Sequence, residues 1–414
     1  MDLEKLSQNE DSSHKQPTGN KKKKKNQNKA VPLAFNDEES TAQAPEELAE
    51  QHRKTYAQPA QVKSRPDLRA RIDELFDEYI KQDKELEKTQ KSLDYYFNSY
   101  SHYGIHEEML QDAHRTKSYE LSMIRNTHLF KDKVVLDVGC GTGVLSMFAV
   151  RSGAKHVYAV ENANIHIKAK EIIDLNGYEH KITVINGKIE EITLPVEKVD
   201  IIISEWMGYF LLYEGMLDSV IFARNKWLAK DGLMFPDRAI MYLKGIDDVH
   251  FWKEKLEFWN SVYGFDYSSI KKWIEVEPLV EVCPPNVIAT ESCAILDLNL
   301  QTCEPKDLDF ANKYKIQASK DTYVNGLVVW FDTIFSHGER PIKLTTDPSF
   351  RATHWKQGII YFSEDIALKK GESVEGTIML KKNQKNPRDL DIKVSYHYDG
   401  AHGKVDNSQY YLFA

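Results

Sequence analysis

Cysteine is scarce in this 414-residue chain, and its positions exclude the common cysteine-based sites. There are four cysteines, none belongs to a CxxC pair, and none precedes residue 140: Cys140, Cys283, Cys293 and Cys303. A zinc module in the N-terminal part is therefore not expected, and no metal site is predicted elsewhere. Reduced thiols in an intracellular protein are the expected state.

Long apolar runs and a net positive charge are also missing. No run approaches the roughly 20 apolar residues that span a bilayer, so no membrane partner is expected. The first residues, MDLEKLSQNED, lack the charged start and apolar stretch of a signal peptide, and Asp2 excludes the N-myristoylation pattern. The net charge of −8 argues against nucleic-acid binding driven by bulk electrostatics and suits a cationic partner.

Residues 1–62 contain few aromatics and many Lys, Gln, Asn, Glu and Ser residues, which predicts a disordered tail. The run Lys21–Lys25 has two interpretations, a nuclear-import signal or a solvated block of charge, and the pattern leaves both open. We expect a protein of the nucleus and cytoplasm. After Pro66, Leu68 and Ile72 begin an apolar face with spacings of three and four, which predicts a helix.

Short apolar runs then alternate with helical stretches within residues 63–236. The runs are KVVLDVG (133–139), HVYAVE (156–161), ITVING (182–187) and VDIIIS (199–204). Such alternation predicts an α/β domain in which helices cover both faces of a parallel sheet. The successive Ile201, Ile202 and Ile203 are typical of a central strand that is buried on both sides.

The pattern changes after Pro236. Alternate residues are apolar in two later stretches, one with Tyr314, Ile316 and Ala318 and the other with Ile392, Val394, Tyr396 and Tyr398. This period of two predicts antiparallel sheet with one face in solvent. We therefore expect a second, mainly β domain over residues 237–414, built as a barrel or a sandwich.

Residues 247–282 form a Trp-rich insertion in this second domain. Its large aromatic residues include Trp252, Trp259, Tyr263 and Trp273. They are either ordinary core or the surface of an exposed arm that binds a partner. The position of the segment, an insertion near the boundary between the two domains, favours the arm.

The stretch VVLDVGCGTG ends a predicted strand and opens a helix. Gly139, Gly141 and Gly143 form GxGxG, and Glu161 follows 22 residues after Gly139, close to the ~20 expected for a ribose-binding carboxylate. The dinucleotide motif is GxGxxG, so the third glycine comes one residue early. Asp137, before the first glycine, would repel a pyrophosphate but suits the sulfonium and ammonium groups of S-adenosylmethionine. The pattern therefore favours S-adenosylmethionine over NAD.

Two glutamates stand out in SEWMGYFLLYEGM, residues 204–216. Glu205 and Glu214 lie among Trp, Met, Tyr, Phe and Leu, where a carboxylate is costly unless a cation meets it. A solvated loop with two unrelated glutamates is the alternative. The loop follows a buried strand, however, and the carboxyl ends of strands face the ligand crevice of an open α/β sheet. We expect a cation to bind here.

Together, VLDVGCGTG, Glu161, SEWMGYFLLYEGM and THW (353–355) resemble the type I protein arginine methyltransferases, and most of all the predominant eukaryotic member. The resemblance covers roughly residues 93–414. It implies a class I (Rossmann-like) S-adenosylmethionine-dependent domain followed by an antiparallel β-barrel domain. The barrel domain would carry a helical dimerisation arm at about residues 247–282. Cys140, where relatives often have Ser, is a small departure.

The resemblance also implies a role for individual residues. In the substrate site, Glu205 and Glu214 bind the guanidinium, and His354 supports them beside Asp112. Cofactor contacts are implied for Tyr100, His106, Met109, Arg115, Asp137, Gly139, Gly141, Gly143, Glu161 and Glu190. Among these, Arg115 pairs with the cofactor carboxylate, Glu161 holds the ribose and Glu190 lies near the adenine. Met109 and Met216 resemble the methionines that line the type I pocket; core packing is the alternative for both.

The implied enzyme transfers methyl groups from S-adenosylmethionine to a terminal guanidino nitrogen of arginine. Its products would be monomethyl and asymmetric dimethyl arginine on Arg/Gly-rich RNA-binding proteins and histone tails. It would act as a homodimer that binds neither nucleic acid nor membrane directly. Three alternatives remain at this point: a symmetric-dimethylating enzyme, a small-molecule methyltransferase, and a non-catalytic scaffold for Arg-rich partners.

Overall fold

The structure of the chain is a computed structural model and describes residues 95–414. These residues belong to one compact unit, Gln90–Ala414. The tail predicted for residues 1–62 and the helix predicted after Pro66 lie outside the described residues. Within residues 95–414, no helix is long and apolar enough to cross a membrane.

From residue 95 onward, four helices precede the first described strand: α1 (Tyr95–Ser99), α2 (Tyr103–Gln111), α3 (Ala113–Ile124) and α4 (Thr127–Phe130). We call residues 95–111, which contain α1 and α2, the N-terminal segment. Asp112 separates it from α3 and caps that helix, because its carboxylate accepts the backbone N–H of Arg115 at 3.0 Å. The N-terminal segment is thereby joined to a fixed helix start.

A five-stranded parallel sheet follows, as the β/α alternation predicts. Its strands are β1 (Val134–Val138), β2 (His156–Glu161), β3 (Ile182–Asn186), β4 (Val199–Ile203) and β5 (Leu228–Phe235). Between them run α5 (Val144–Arg151), α6 (His166–Leu175) and α7 (Met216–Trp227). The strand order is β3-β2-β1-β4-β5, and every neighbouring pair is parallel.

Strands β1 and β4 occupy the centre of this sheet. Ile201, Ile202 and Ile203 are at most 1% exposed, which confirms the prediction of a strand buried on both faces. Asp137 of β1 lies opposite Ile203 of β4. The glycine motif and the loop with Glu205 therefore leave the sheet side by side, at its carboxyl edge.

The second domain is antiparallel, and the predicted Rossmann-like and barrel architecture is confirmed. The first of its two sheets contains β6 (Arg238–Ile246), β7 (Leu279–Glu281), β8 (Cys293–Asn299), β10 (Thr322–Phe335), β11 (Ile342–Thr345) and β12 (Gln357–Leu368). The second contains β9 (Phe310–Gln317), β13 (Ser373–Lys382), β14 (Leu390–Gly400) and β15 (Gly403–Phe413). The strand order is β7-β12-β10-β6-β8 in the first sheet, with β11 paired to β10, and β15-β14-β13-β9 in the second.

The period-two residues form the core of this domain. Ile316 and Val394, from the second sheet, are fully buried, and so are Val324 and Leu327 from the first. All four belong to one hydrophobic core that also includes the parallel sheet. The two domains are therefore packed on a shared core, which allows the barrel to support loops of the parallel sheet.

The Trp-rich insertion contains α8 (Val249–Glu257), α9 (Lys271–Ile274) and two short 3-10 turns, Phe258–Asn260 and Ser268–Ile270. Its tip is exposed: Tyr263 is 97% and Trp273 is 72% solvent-accessible. Trp252 differs, because it is buried and stacks on Tyr361 of β12 with ring centroids 4.1 Å apart. The segment is thus an exposed arm whose first helix is anchored in the core, and Trp252 does not belong to its outer surface.

We predict that Trp252→Ala lowers the free energy of unfolding by about 3 kcal/mol, since it removes a buried, stacked indole and leaves a cavity. Urea unfolding at a fixed protein concentration measures the change. Leu175→Ala is the control: Leu175 is 86% exposed, and its replacement should change stability by less than about 0.5 kcal/mol. Equal effects of the two substitutions would contradict the anchoring role of Trp252.

Candidate active site

The glycine motif forms the loop between β1 and α5. Gly139, Gly141 and Gly143 have φ angles of 72°, 53° and 84°, and the first two line a cavity at the carboxyl edge of the sheet. A side chain at Gly141 would be strained, and its Cβ would lie 3.2 Å from the His106 ring. Glycine at this position therefore keeps the cavity open beneath His106, whereas Gly143 only precedes α5.

Two acidic residues line the same cavity, one at the end of β2 and the other in the loop after β3. Glu161 accepts hydrogen bonds from the backbone N–H groups of Gly141 at 2.9 Å and Ala163 at 2.8 Å. Glu190 accepts a hydrogen bond from Ser219 Oγ at 2.6 Å. Burial raises the pKa of Glu161, although these backbone hydrogen bonds favour its carboxylate form. Both carboxylates are placed to accept hydrogen bonds from the polar groups of a nucleoside.

Asp137 lies beneath the glycine motif rather than in the cavity wall. It is fully buried, and its Oδ2 accepts a hydrogen bond from Ser146 Oγ of α5 at 2.7 Å. Its Oδ1 has no hydrogen-bond partner among the residues that the structure describes. Burial is the main cause that raises the pKa of Asp137 to about 7. The carboxyl group therefore fastens α5 to β1, and its effect on a ligand would be electrostatic.

The N-terminal segment forms another wall of the cavity. Tyr100 donates a hydrogen bond from its hydroxyl to Glu214 Oε2 at 2.9 Å, and its carbonyl oxygen lies 2.8 Å from His106 Nε2. Met109 lines the cavity, and its carbonyl accepts a hydrogen bond from Arg115 Nη1 at 3.3 Å. Tyr100, which the family resemblance assigns to the cofactor, thus also contacts a glutamate of the expected cation site.

Residues 204–215, between β4 and α7, form the double-glutamate loop. Phe210, Leu211 and Glu214 have φ angles of 53°, 62° and 73°. Residues other than glycine adopt this left-handed conformation at an energetic cost, so surrounding contacts must hold it. Strain of this kind clusters at functional sites.

The barrel domain provides part of that support. Phe210 packs against Phe413 of β15 with ring centroids 5.7 Å apart, and it occupies space over Gly358 of β12. A Cβ on Gly358 would come within 2.3 Å of the Phe210 ring. Trp355 donates a hydrogen bond from its indole to the carbonyl of Met207 at 2.7 Å. The loop is therefore held by β12, by β15 and by the THW stretch before β12.

Glu205 is paired with Arg115. The guanidinium donates from Nε at 3.0 Å and from Nη2 at 2.7 Å to the same oxygen, Oε2 of Glu205. Both side chains are buried, with 8% and 7% of their surface exposed. Arg115, which the resemblance assigns to the cofactor carboxylate, therefore lies between the expected cofactor and cation sites.

Glu214 is the second carboxylate of the loop, and it lines the same cavity as Glu205. Burial, and secondarily repulsion from Glu205, raises the pKa of Glu214 to about 7. The hydrogen bond from Tyr100 and the charges of Arg388 and His354 act in the opposite direction. Loss of solvent is therefore the larger cause of the raised pKa, and repulsion between the two carboxylates is the smaller one.

His354 and Asp112 are adjacent, as the resemblance implies. Asp112 Oδ2 lies 2.8 Å from His354 Nδ1 and accepts the backbone N–H of His354 at 3.0 Å. Burial raises the pKa of Asp112, but hydrogen bonds from His354 and from the Arg115 backbone outweigh it and hold the pKa below its usual range. His354 lines the cavity, whereas Asp112 orients it from behind.

The cavity has a volume of about 200 Å³, more than ten times the roughly 10–15 Å³ that a single water needs. Five carboxylates and three cations line it: Glu108, Glu161, Glu190, Glu205 and Glu214, with Arg115, Lys188 and Arg388. This excess of negative charge favours a cationic ligand. The structure brings most of the site residues that the sequence predicts to this one cavity, and the exceptions are Asp112, Asp137 and Gly143, which do not line it.

Family models match both domains. Residues 237–401 match the model described as "Arginine methyltransferase oligomerization subdomain". Residues 112–212, which include the glycine motif and Glu205, match "Ribosomal protein L11 methyltransferase (PrmA)". Each match covers less than half of the chain.

A relative decides the family. The Schizosaccharomyces pombe "Protein arginine N-methyltransferase 1" is 53% identical over 306 residues, 74% of this chain and 90% of that protein. The chain belongs to the protein arginine methyltransferase family. The Saccharomyces cerevisiae protein of the same name is 48% identical over 331 residues, 79% and 95% of the two chains. A solved structure, the Trypanosoma brucei PRMT1 enzyme–prozyme heterotetrameric complex with AdoHcy, matches with a TM-score of 0.74 and 44% identity, over 77% of this chain and all of the other.

The predicted activity is thus confirmed: this arginine methyltransferase uses S-adenosylmethionine to methylate arginine in proteins. Its cavity fits that cofactor, because Arg115 suits the carboxylate, Glu161 suits the ribose hydroxyls and the net negative charge suits the sulfonium. The barrel domain matches an oligomerization subdomain, which indicates that the enzyme is an oligomer.

Arg388 of the arginine methyltransferase is a cavity residue that no sequence motif predicts. This residue lies in the turn between β13 and β14, and its guanidinium carbon is 3.8 Å from the centroid of the Tyr96 ring. It also lines the cavity. The local sequence NPRDL is typical of an ordinary turn. That Arg388 lies at the active site is therefore evident only from the fold. Lys188 is a second cation of the cavity that the sequence pattern did not single out.

We predict that the raised pKa of Glu214 makes binding of an arginine peptide pH-dependent. The methyltransferase should lose kcat/KM as the pH falls through about 7, because protonation of Glu214 removes the negative charge that attracts guanidinium. The Tyr100 hydrogen bond lowers this pKa, so Tyr100→Phe should move the acid limb of the profile to higher pH. The measurement is kcat/KM against pH.

Tyr103→Phe is the matched control for Tyr100→Phe, because Tyr103 lies in the same N-terminal segment and is 79% exposed. It should leave the profile in place. An acid limb that stays unchanged in Tyr100→Phe would argue against Glu214 as the group that titrates.

Proposed function

We propose that this enzyme is a type I arginine methyltransferase that makes monomethyl and asymmetric dimethyl arginine on Arg/Gly-rich proteins. The observation that carries the proposal is that Glu205, whose side chain is buried, and the half-buried Glu214 line the same cavity as the glycine motif. A permanently charged, planar guanidinium is the side chain whose N–H fork two carboxylates can bind. An excess of negative charge would also concentrate cationic Arg/Gly-rich segments, such as those of RNA-binding proteins and histone tails.

In this proposal the glycine-side residues hold the cofactor. Arg115 would pair with its carboxylate, Glu161 would accept hydrogen bonds from its ribose hydroxyls, Glu190 would lie near the adenine, and Tyr100 and His106 would cover it. The bound cofactor supplies an electrophilic methyl group on a sulfonium. Asp137 contributes negative charge from beneath the loop, which favours a cationic ligand over a pyrophosphate.

The chain's own residues then act on the substrate. Glu205 and Glu214 grip the guanidinium and draw its positive charge towards themselves, which leaves the remaining terminal nitrogen richer in electrons. The N-terminal segment, which contains Tyr100, would exclude water from the cavity and so strengthen these charge interactions. Most of the catalytic effect is therefore orientation and electrostatics.

His354 is proposed to take the proton that the methylated nitrogen releases. Asp112 lies 2.8 Å from His354 Nδ1, and a carboxylate at that nitrogen favours the tautomer in which Nε2 is the acceptor. The proton would then rest on an imidazole that the Asp112 charge stabilises. This is the arrangement expected of a positioned acid–base pair.

The asymmetric product is attributed to Met109 and Met216. Both line the cavity. Flexible thioether side chains that line the cavity would restrict how a monomethylated guanidinium is bound and present the same nitrogen again. Location in nucleus and cytoplasm remains part of the proposal; the run Lys21–Lys25, on which it rests, lies outside the described residues.

Glu205→Gln tests the carboxylate pair. Glutamine keeps an acceptor for Arg115 but loses the charge, so turnover should fall by about 100- to 1,000-fold while folding and cofactor affinity change little. Labelled S-adenosylmethionine with an Arg/Gly-rich peptide gives the rate, and mass analysis of hydrolysed peptide identifies the methylarginines.

Glu197→Gln, on an exposed residue, is the control and should turn over normally. Undiminished activity of Glu205→Gln would contradict the two-carboxylate mechanism. Symmetric dimethylarginine from the unaltered enzyme would replace the type I assignment, and an unmodified peptide would contradict the choice of protein substrate.

We further propose that the oligomer is built on a homodimer in which the arm's exposed aromatic face binds a second copy. Phe265 and Trp273 are 68% and 72% exposed on this arm, more apolar surface than a free arm would keep in water.

Phe265→Ala together with Trp273→Ala should weaken dimerisation at least about tenfold, measured by sedimentation velocity over a concentration series. The control pair, Leu175→Ala with Phe350→Ala, removes exposed apolar residues outside the arm; an equal loss of dimer there would argue against the arm.

A further inference from the structure

Arg388 brings a cation from the barrel domain to the double-glutamate loop. Its guanidinium carbon lies 3.8 Å from the ring centroid of Tyr96 and 5.3 Å from that of Phe97, both on α1. Guanidinium planes stack favourably on aromatic faces. The turn between β13 and β14 is thus in contact with the N-terminal segment that forms one wall of the cavity.

Arg388 also contacts the backbone of Glu214. Arg388 Nη1 donates to the carbonyl of Glu214 at 2.8 Å, and the backbone N–H of Glu214 donates to the carbonyl of Arg388 at 2.9 Å. Glu214 has a φ angle of 73°, a conformation that persists only where neighbouring contacts fix it. These two hydrogen bonds supply such contacts on both sides of the Glu214 Cα atom.

The turn that carries Arg388 is itself well ordered by hydrogen bonds. The Asn383 side chain accepts backbone N–H groups of Lys385 at 2.8 Å and Asn386 at 3.1 Å. The Asn386 side chain accepts the backbone N–H of Arg388 at 3.2 Å and donates to Asp389 at 2.8 Å. Arg388 is therefore presented from a preorganised turn, which makes it suitable as a fixed support.

We propose that Arg388 is a positioning residue that couples the barrel domain to the guanidinium site: it fixes the orientation of the Glu214 carboxylate and docks α1 beside it. This inference rests on the proposed function, in which Glu214 binds the substrate guanidinium. Arg388 acts through Glu214 and Tyr96 rather than on the reacting atoms. A change in one turn of the barrel would thus alter both cation binding and closure of the cofactor side.

The charge of Arg388 gives the proposal an electrostatic signature. Titratable groups from four parts of the fold influence Glu214 or face it: Tyr96, Tyr100, Glu205, Tyr209, Tyr213, His354 and Arg388. Arg388 favours the carboxylate form of Glu214. Loss of its charge should raise the pKa of Glu214 further, whereas a purely structural role would leave the pH dependence unchanged.

The test compares Arg388→Gln and Arg388→Lys in the full chain, with Lys385→Gln as the matched control. Lys385 lies in the same turn, its side chain is exposed, and it should behave like the unaltered enzyme. The measurements are kcat/KM for an Arg/Gly-rich peptide against pH, the affinity for S-adenosylhomocysteine by calorimetry, and the unfolding midpoint.

Arg388→Gln should lower kcat/KM at neutral pH by about tenfold or more, since small misplacements of catalytic groups are costly, and should shift the acid limb to higher pH. Arg388→Lys keeps the charge but not the planar guanidinium, so its acid limb should stay close to that of the unaltered enzyme while affinity for S-adenosylhomocysteine falls. This split between the two variants supports coupling through Glu214 and Tyr96.

Unchanged kcat/KM and an unmoved acid limb in Arg388→Gln would overturn the inference. A second result would also overturn it: both Arg388 variants lose kcat/KM equally, their unfolding midpoints fall, and the acid limb of the pH profile does not move. That combination indicates general destabilisation. Glu214→Gln distinguishes failure of the proposed function from failure of the positioning role of Arg388. If it remains active, the proposed function fails and this inference with it; if it is inactive while Arg388→Gln is normal, only the positioning role of Arg388 is wrong.

Discussion

The active site depends on keeping two carboxylates, Glu205 and Glu214, away from bulk water without a substrate cation. Charges in such surroundings must be compensated, and the protein compensates each one differently. Glu205 is paired with Arg115, and Glu214 receives the Tyr100 hydroxyl and the nearby charge of Arg388. The compensating groups come from α3, from the N-terminal segment and from the barrel, so the carboxylates integrate all three parts of the fold.

The parallel sheet brings these parts together. Because β1 and β4 are neighbours, the glycine motif and the double-glutamate loop leave the same edge of the sheet. The barrel then packs against the loop through Phe413 and Trp355. A methyl donor and a methyl acceptor can therefore meet where two strand ends adjoin, with the second domain serving as the outer support.

Much of this organisation could be predicted from sequence, because its signals are local. Strand periods, the glycine motif and the carboxylates of SEWMGYFLLYEGM each lie within a short stretch, and family resemblance added THW. The rest depends on contacts between distant residues. Arg388 lies 174 positions from Glu214, so no local pattern connects them. Trp252 looks like its aromatic neighbours in sequence, and only its stacking on Tyr361 separates the anchored part of the arm from its surface.

The close approach of Gly358 to Phe210 has a consequence for how substitutions in this enzyme should be interpreted. Gly358 belongs to a barrel strand, yet the hydrogen atom in place of a side chain is what admits the Phe210 ring. In a saturation-mutagenesis map, tolerance at this position should follow that of the double-glutamate loop rather than that of its own strand. Gly358 would then belong functionally with the double-glutamate loop, although it lies in the barrel domain, because its lack of a side chain leaves the space that the Phe210 ring fills.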